Sequence, residues 1–409
     1  MSPRTVAEDL GHVNLTDPAT FVQPAMEDVW RLLREEHPVH LHPATETTPE
    51  FWVLTRYEDV LSVYKDPERF VSQRGNMLTS LMSGGDPAGG KLLAVMDAPR
   101  HTALRTTLLK SFSPRALQPV ADKVRARADE RVAAALAAGT CDFATEVAEH
   151  VPMGTICDLL GVPTSDRAEL LRLSKQALSS DDADQSEDDV WLARSEILLY
   201  FAELAEFRRS VPKDDLISTL ATAQVDGAPL TEEELVLNCY GLILAGDETS
   251  RLAATGAVWH FSQHPDDWEA LRSGRVPLPV AVEEILRWTT PAMHLGRTAA
   301  TEVEIGGRTI AAGDTVTAWN VSANRDEAVF TDPYSFDPAR TPNRHLTFGY
   351  GPHFCIGAYL GRAEIAAVVD ALLRSVDTIE ALGEPEPVYS TFLRGYSSLK
   401  VRLRPSAGA

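Results

Sequence analysis

The chain has 409 residues, of which 44% are hydrophobic, so it is long enough to bury a large core. Its 59 acidic residues against 38 basic ones give a net charge of −21, which disfavours nucleic acid and anionic membrane surfaces as partners. The N-terminal residues have no apolar core of signal length, and no run of about 18 apolar residues appears. We therefore expect a cytoplasmic protein without a membrane partner.

The four cysteines are far apart in sequence and form no CxxC pair: Cys141, Cys157, Cys239 and Cys355. This spacing argues against a structural zinc site and against a disulfide framework. Four unpaired cysteines of this kind are expected in a protein of a reducing compartment.

Strand-like patterns come early, around residues 51–64, and helical patterns dominate after residue 97. Segment 72–96 contains SGGDPAGG and is predicted to be a flexible loop. The acidic run 181–189 is predicted to be a solvated loop between two helices. Residues 303–310 (VEIGGRTI) predict a hairpin that turns at two glycines, and further strand signals lie near 303–320 and 396–404.

The longest predicted helix begins after Thr231, which forms a capping box with Glu234, and runs to about His264. At 1.5 Å per residue it would span roughly 50 Å. Its middle is almost wholly apolar and should be buried, yet it contains the polar cluster Asp247–Thr249 just after Gly246. Burying such groups costs several kcal/mol unless they are paired or hydrated. Taken alone, the cluster fits either a kinked helix with paired acids or a functional site.

Two shorter pairs have helical spacing. Glu284 and Arg287 are three residues apart, and His101 and Arg105 are four apart, so each pair lies on one helical face. An exposed ion pair of this kind is usually worth less than about 1 kcal/mol. By spacing alone, neither pair indicates a function.

The segment Phe348–Gly357 (FGYGPHFCIG) places Cys355 at the end of a glycine-rich loop that leads into a predicted helix. The free amides and the positive dipole end of a helix N-terminus favour a thiolate. A thiolate is an axial ligand of haem iron in one class of haem proteins. A buried structural cysteine is the alternative.

Phe348, Gly351, His353, Cys355 and Gly357 resemble the haem loop of the cytochrome P450 haem-thiolate monooxygenases. The resemblance implies a mainly α fold with smaller β-sheets (α+β) that forms a single domain over 1–409. It also implies haem b, held between the long central helix and the helix after the cysteine loop, with Cys355 as the iron ligand. One departure is Gly361, where the family often has alanine.

The resemblance also implies roles for residues upstream. Gly246 would open a groove for dioxygen, Thr249 would hydrogen-bond the bound oxygen, and Glu248 would relay protons. The haem propionates would be held by His101, Arg105, Arg297 and His353, and Phe348 would shield the sulfur. Glu284, Arg287 and Arg340 would form a buried network that holds the cysteine loop.

The implied reaction inserts one oxygen atom from O2 into a small, mainly apolar molecule, by hydroxylation or epoxidation. The substrate would be a secondary-metabolite intermediate, either free or tethered to a carrier protein. We expect a monomer that receives electrons from a ferredoxin and a ferredoxin reductase, docked on basic residues of the thiolate side. That docking patch would comprise Lys110, Arg115, Arg344 and Arg362.

The family folds several distant segments over the open face of the haem, and these contain the predicted pocket residues Met77, Leu242, Ile243, Met293 and Phe392. Two other functions remain open. One is a non-catalytic scaffold or haem sensor of the same fold, although such proteins typically lose the cysteine or the acid and threonine pair. The other is a peroxygenase, against which the retained Glu248 and Thr249 argue.

Overall fold

The computed structural model describes residues 10, 13–178 and 186–406 of the chain. Helices dominate it, and most of them follow residue 97, as predicted. The helices are α1 (Pro18–Phe21), α2 (Met26–Glu36), α3 (Tyr57–Lys65), α4 (Leu78–Met82), α5 (Arg100–Ser111), α6 (Pro114–Ala138), α7 (His150–Leu160), α8 (Arg167–Leu178), α9 (Glu187–Ser210), α10 (Leu216–Thr222), α11 (Glu232–Gln263), α12 (Pro265–Arg272), α13 (Leu278–Thr289), α14 (Asn320–Ala323) and α15 (Ala358–Ser375).

The strands form small sheets around the helices. They are β1 (Val39–His42), β2 (Phe51–Leu54), β3 (Phe70–Val71), β4 (Thr140–Asp142), β5 (Gln224–Val225), β6 (Ala228–Pro229), β7 (His294–Ala299), β8 (Val303–Ile305), β9 (Arg308–Ile310), β10 (Thr315–Trp319), β11 (Val376–Ala381), β12 (Glu386–Pro387), β13 (Tyr396–Ser398) and β14 (Lys400–Pro405). The largest sheet has the order β1-β2-β10-β7-β3, in which only β2 and β10 pair in parallel. A three-stranded sheet has the order β11-β14-β4. The predicted hairpin at 303–310 is confirmed as β8 and β9.

Helix α11 crosses the molecule and begins as the sequence predicts. The Thr231 hydroxyl accepts the Glu234 N–H at 3.1 Å, and the Glu234 carboxylate accepts the Thr231 N–H at 2.9 Å. Its 32 residues span about 48 Å. No helix of the described part of the chain is both long and apolar enough to cross a membrane.

Two large hydrophobic clusters share α11. Its first half, including Cys239 and Ile243, packs with residues of α7 and α9, whereas its second half, including Ala253 and Phe261, packs with residues of α6 and α15. The polar residues in the middle of α11 fall between the two clusters. The hydrophobic pattern therefore fixes the helix at both ends and leaves its centre for polar groups.

Three local predictions need correction or fall outside the described residues. Of segment 51–64 only Phe51–Leu54 is a strand, because the apolar residues after it recur with helical spacing and form α3. Segment 72–96 is not an irregular loop, since it contains α4 and a 3-10 turn at Leu93–Val95. Most of the acidic run 181–189 lies outside the described residues, and its last three residues already belong to α9.

Candidate haem-thiolate site

The cysteine loop depends on glycine at two positions. Gly349 and Gly351 have φ angles of 66° and 72°, and a Cβ on Gly351 would lie 2.4 Å from the carbonyl oxygen of Tyr64. The Cys355 N–H donates to the Phe348 carbonyl at 2.9 Å and closes the loop. The chain then enters α15 at Ala358, with Gly357 as its N-cap. This geometry fixes the cysteine at the start of a helix.

Cys355 is exposed as a residue, whereas the other three cysteines are buried, although the protein around its sulfur removes much of the water there. Desolvation by the surrounding protein raises the pKa of Cys355, while the Gly357 N–H, Arg105 and Arg362 act in the opposite direction. The helix-end effect predicted from the sequence is therefore present, but desolvation outweighs it. Binding to a metal ion deprotonates a coordinating thiol, so bound iron would stabilise the thiolate form that the loop alone does not favour.

Helix α11 presents one accessible face. Ala245 is exposed and Leu242 and Thr249 are partly exposed, although they lie in the middle of a helix that is otherwise largely buried. These residues are three or four positions apart and share a face. The Thr249 hydroxyl donates to the Ala245 carbonyl at 3.3 Å, within the helix. This exposure shows that α11 borders solvent-accessible space at this point.

Four residues that can carry positive charge gather near the cysteine loop. The His101 and His353 rings stack with centroids 4.1 Å apart, and Arg105 donates a hydrogen bond to the Phe354 carbonyl. Arg297 is buried, donates to the Gly296 carbonyl at 2.7 Å, and has no ion pair with a described carboxylate. Nε2 of His101 has no hydrogen-bond partner in the described structure.

Burial disfavours the charged forms of these groups. It lowers the pKa of His101 to about 4 and that of His353 to about 2, and it also lowers the pKa of Arg297. Buried cations are normally paired, yet Asp97, whose charge raises the pKa of His101 and Arg297, forms no ion pair with either in the described structure. Two carboxylates of a ligand would supply such pairs through charge-assisted hydrogen bonds. The propionates of haem b fit this requirement, as Cys355 fits its iron.

The polar centre of α11 differs in detail from the sequence prediction. Glu248 and Arg251 are both buried and form an ion pair, with Nη2 of Arg251 2.5 Å from Oε2 of Glu248. Sequence reasoning missed Arg251, although its position three residues after Glu248 was a readable signal. That Glu248 and Thr249 act on oxygen stays a prediction.

Asp247 is unusual among the polar residues of α11. It is fully buried, and neither carboxylate oxygen has a hydrogen-bond partner among the described residues. Burial and the neighbouring Glu248 raise the pKa of Asp247 well above its ordinary value. Burial therefore favours the protonated form of this side chain.

Gly246 is where α7 approaches α11. A Cβ at this position would lie 3.0 Å from Cγ1 of Ile156. The glycine therefore lets two helices pack closely. That it also opens a groove for dioxygen stays a prediction.

Glu284, Arg287 and Arg340 form a buried network. Arg287 donates to both oxygens of Glu284, at 2.8 and 2.7 Å, and Arg340 lies 3.1 Å from the same carboxylate. The two arginines also donate to backbone carbonyls of residues 331–335. The network therefore ties α13 to the chain that leads into the cysteine loop.

The five predicted pocket residues separate into two groups. Met77, Leu242 and Phe392 are partly exposed, as residues that line a pocket must be. Ile243 has no exposed surface and packs in the cluster around α7, so its assignment to the pocket is corrected. Met293 is likewise buried, at 2% exposed, in the cluster that contains Leu78 and Trp319, so its assignment to the pocket lining is corrected too.

The predicted docking residues differ in exposure and in ion pairing. Lys110, Arg115 and Arg344 are exposed. Arg362 forms an ion pair with Glu283 at 2.6 Å, and its guanidinium lies 4.5 Å from the centre of the Phe348 ring. The charge of Arg362 is therefore partly neutralised within the protein.

The fold and this site define a haem-thiolate enzyme, and comparison with known proteins agrees. Residues 277–402 match the sequence model of the family described as Cytochrome P450. Cytochrome P450 NovI of Streptomyces niveus is 45% identical over 401 residues, which cover 98% of each protein. The methyl-branched lipid omega-hydroxylase of Mycobacterium tuberculosis is 36% identical over 384 residues, which cover 90% of this chain and 89% of that protein.

A solved structure extends the likeness to three dimensions. The crystal structure of P450 OxyD, which is involved in the biosynthesis of vancomycin-type antibiotics, has a TM-score of 0.88 at 34% identity and covers 96% of this chain and all of that one. The chain belongs to the cytochrome P450 family. It is therefore an oxidoreductase, a monooxygenase that uses haem b and O2.

Proposed function

We propose that this cytochrome P450 oxygenates a small, mainly apolar intermediate of secondary metabolism, by hydroxylation or epoxidation. The observation that carries the proposal is the exposed α11 face at Leu242, Ala245 and Thr249, which is apolar except for one hydroxyl. Such a lining suits an apolar ligand oriented by few hydrogen bonds. The likeness to NovI and to OxyD supports secondary metabolism as the setting.

Cys355 would bind the iron, and His101, Arg105, Arg297 and His353 would hold the propionates. The haem, when bound, supplies the chemistry that activates dioxygen. Thr249 would position a proton donor above it, and the buried Glu248–Arg251 pair would connect that hydroxyl to a proton source. The apolar surroundings of these groups limit the access of water, which would otherwise waste reducing equivalents.

A ferredoxin, itself reduced by a ferredoxin reductase, would supply the two electrons. The exposed side chains of Lys110, Arg115 and Arg344 support this assignment, because they offer local positive charge on a protein with a net charge of −21. Arg362 would contribute less, since Glu283 neutralises it. Docking of this kind should weaken as salt concentration rises.

The first experiment tests the haem site. Reduced protein under carbon monoxide should show the strongly red-shifted Soret band of a thiolate-ligated haem, and Cys355→His should lose that band. Retention of the band in the variant would refute Cys355 as the ligand. Cys157→Ser, at a buried cysteine remote in sequence from the loop, is the control and should keep the band.

The second experiment tests the substrate class. Apolar candidate substrates, each offered free and as a carrier-protein thioester, are titrated while the spin state of ferric iron is recorded. A true substrate should displace water from iron, shift it to high spin, and gain one oxygen atom from isotopically labelled O2. Turnover only of strongly polar compounds would refute an apolar substrate, and the two forms decide whether the substrate is free or tethered.

A further inference from the structure

Helix α4 follows the predicted pocket residue Met77 and is flanked by glycines in conformations that other residues rarely adopt. Gly75 precedes it with φ 129°, and Gly84 and Gly85 follow it with φ 94° and 127°. Met77, a predicted pocket residue, is its N-cap and makes no capping bond through its side chain. The segment therefore depends on contacts with its neighbours to hold a fixed position.

Strand β7 supplies three such contacts. Nε2 of His294 accepts the backbone N–H of Leu78 at 3.1 Å, and the Gly296 N–H donates to the Asn76 carbonyl at 2.7 Å. Leu81 fills the space beside Gly296, because a Cβ on Gly296 would lie 2.3 Å from Cδ1 of Leu81. Polar contacts at the start of α4 and an apolar contact near its end thus fix it to the strand.

The surroundings of His294 favour its role as acceptor of the Leu78 N–H. Its ring is fully buried, 4.5 Å from the Trp319 ring and 5.6 Å from the Phe392 ring, which restrict its orientation. Burial lowers the pKa of His294 to about 3, so the imidazole is neutral, and the Leu78 N–H selects the tautomer in which Nδ1 carries the proton and Nε2 the lone pair. Because Leu78 is the first residue of α4, its N–H has no partner within the helix. The imidazole thus takes the place of an N-cap side chain.

We propose that His294 is a specificity-determining positioning residue, which fixes α4, and with it Met77, over the substrate pocket by accepting the Leu78 N–H. The inference rests on the proposed function, because it assigns Met77 to the pocket wall. His294 itself need not touch the substrate. Its effect is transmitted through the register of α4 on β7 and through Phe392, whose ring packs against the imidazole.

The test compares two variants of the haem-loaded protein. His294→Phe keeps the aromatic packing but removes the acceptor, whereas His294→Gln retains an acceptor at a similar reach and serves as the rescue variant. Hydrogen–deuterium exchange over residues 76–82 is the first readout. Loss of one buried hydrogen bond should speed exchange there by about tenfold in His294→Phe and leave His294→Gln close to the parent protein.

The second readout uses iron ligands of two sizes, because it needs no knowledge of the substrate. Imidazole is small, whereas 4-phenylimidazole also fills space above the haem. The ratio of their dissociation constants should change by about tenfold in His294→Phe and return toward the parent value in His294→Gln. A purely structural defect would lower the unfolding temperature of both variants without restoring the ratio in one of them.

Unchanged exchange over residues 76–82 in His294→Phe would overturn the proposal, as would faster exchange with an unchanged ligand ratio. If His294→Phe does not fold, Leu78→Pro removes the donor instead. Proline suits the first position of a helix, and Met77 before it is extended with φ −106° and ψ 141°. Exchange over residues 76–82 and the ratio of the two dissociation constants are then measured for Leu78→Pro, with the same expected outcomes. The carbon monoxide spectrum of each variant separates failure of this inference from failure of the haem assignment.

Discussion

Glu248 forms its ion pair with Arg251 one turn further along α11, and both side chains are buried where the two hydrophobic clusters meet. Removing one partner of a buried pair leaves an uncompensated charge and costs roughly 3 to 5 kcal/mol. We expect Arg251→Gln to lower the free energy of unfolding by about that amount, and Arg251→Lys to lose less. Chemical denaturation of both variants checks this, and equal losses would refute a role for charge.

Thr249 should govern the use of electrons. Thr249→Ala should still consume reducing equivalents but divert them to peroxide and water, because no hydroxyl remains to direct protons. Thr249→Ser, which keeps a hydroxyl, should restore most of the coupling. The measurement is product formed per reducing equivalent consumed. Equal coupling in all three proteins would contradict the role.

Glu284 should be required for haem retention. Glu284→Ala leaves Arg287 and Arg340 buried without their carboxylate, at a cost of roughly 3 to 5 kcal/mol. We expect a large loss of haem per mole of protein, measured from the absorbance ratio of haem to protein. Glu304→Ala, at an exposed strand position, is the matched control and should keep full occupancy. Full occupancy in Glu284→Ala would disprove the role of the network.

Gly361 should tolerate the alanine that the family often has. A Cβ there would lie 3.6 Å from the Ser250 hydroxyl and 3.8 Å from the Phe348 ring, which are ordinary contacts. Because glycine within a helix costs about 0.5 to 1 kcal/mol relative to alanine, Gly361→Ala should raise stability by that amount. Gly246→Ala should instead lower it, since Ile156 is only 3.0 Å away. Thermal unfolding of both variants is the test.

Glu364 should make stability depend on pH. It is buried on α15, and burial raises its pKa to about 8, while the Ser250 and Thr155 hydroxyls act in the opposite direction. The folded chain then holds a proton that the unfolded chain releases above its ordinary pKa of 4.5. The stabilisation from this group is complete below that value and is lost as pH rises toward about 8.

Glu364→Gln removes this titration. The free energy of unfolding of the variant, relative to the parent protein, should therefore increase from about pH 5 to about pH 8 and become level above it. Denaturant titrations at several pH values measure the difference. Parallel curves would show that Glu364 does not bind a proton more tightly in the folded chain.

Elements with a local signal could be predicted from the amino-acid sequence alone. The capping box at Thr231 and Glu234 and the hairpin around Gly306 and Gly307 each depend on residues within a few positions of one another. The cysteine loop could be recognised for the same reason, since its glycines and Cys355 lie within ten residues. Backbone conformation and hydrogen bonds between near neighbours are properties that a short segment carries with it.

The exposure and the long-range partners of individual side chains could not be predicted in this way. Ile243 and Leu242 are adjacent and both apolar, yet Ile243 packs in the core and Leu242 is partly exposed. Asp247 is buried without a hydrogen-bond partner in the described part of the chain, while Glu248 pairs with Arg251. His294 accepts a hydrogen bond from Leu78, which lies 216 residues away in sequence. Burial and long-range pairing depend on which helices and strands pack against each position. Those neighbours are distant in sequence, so the local residue pattern does not reveal them.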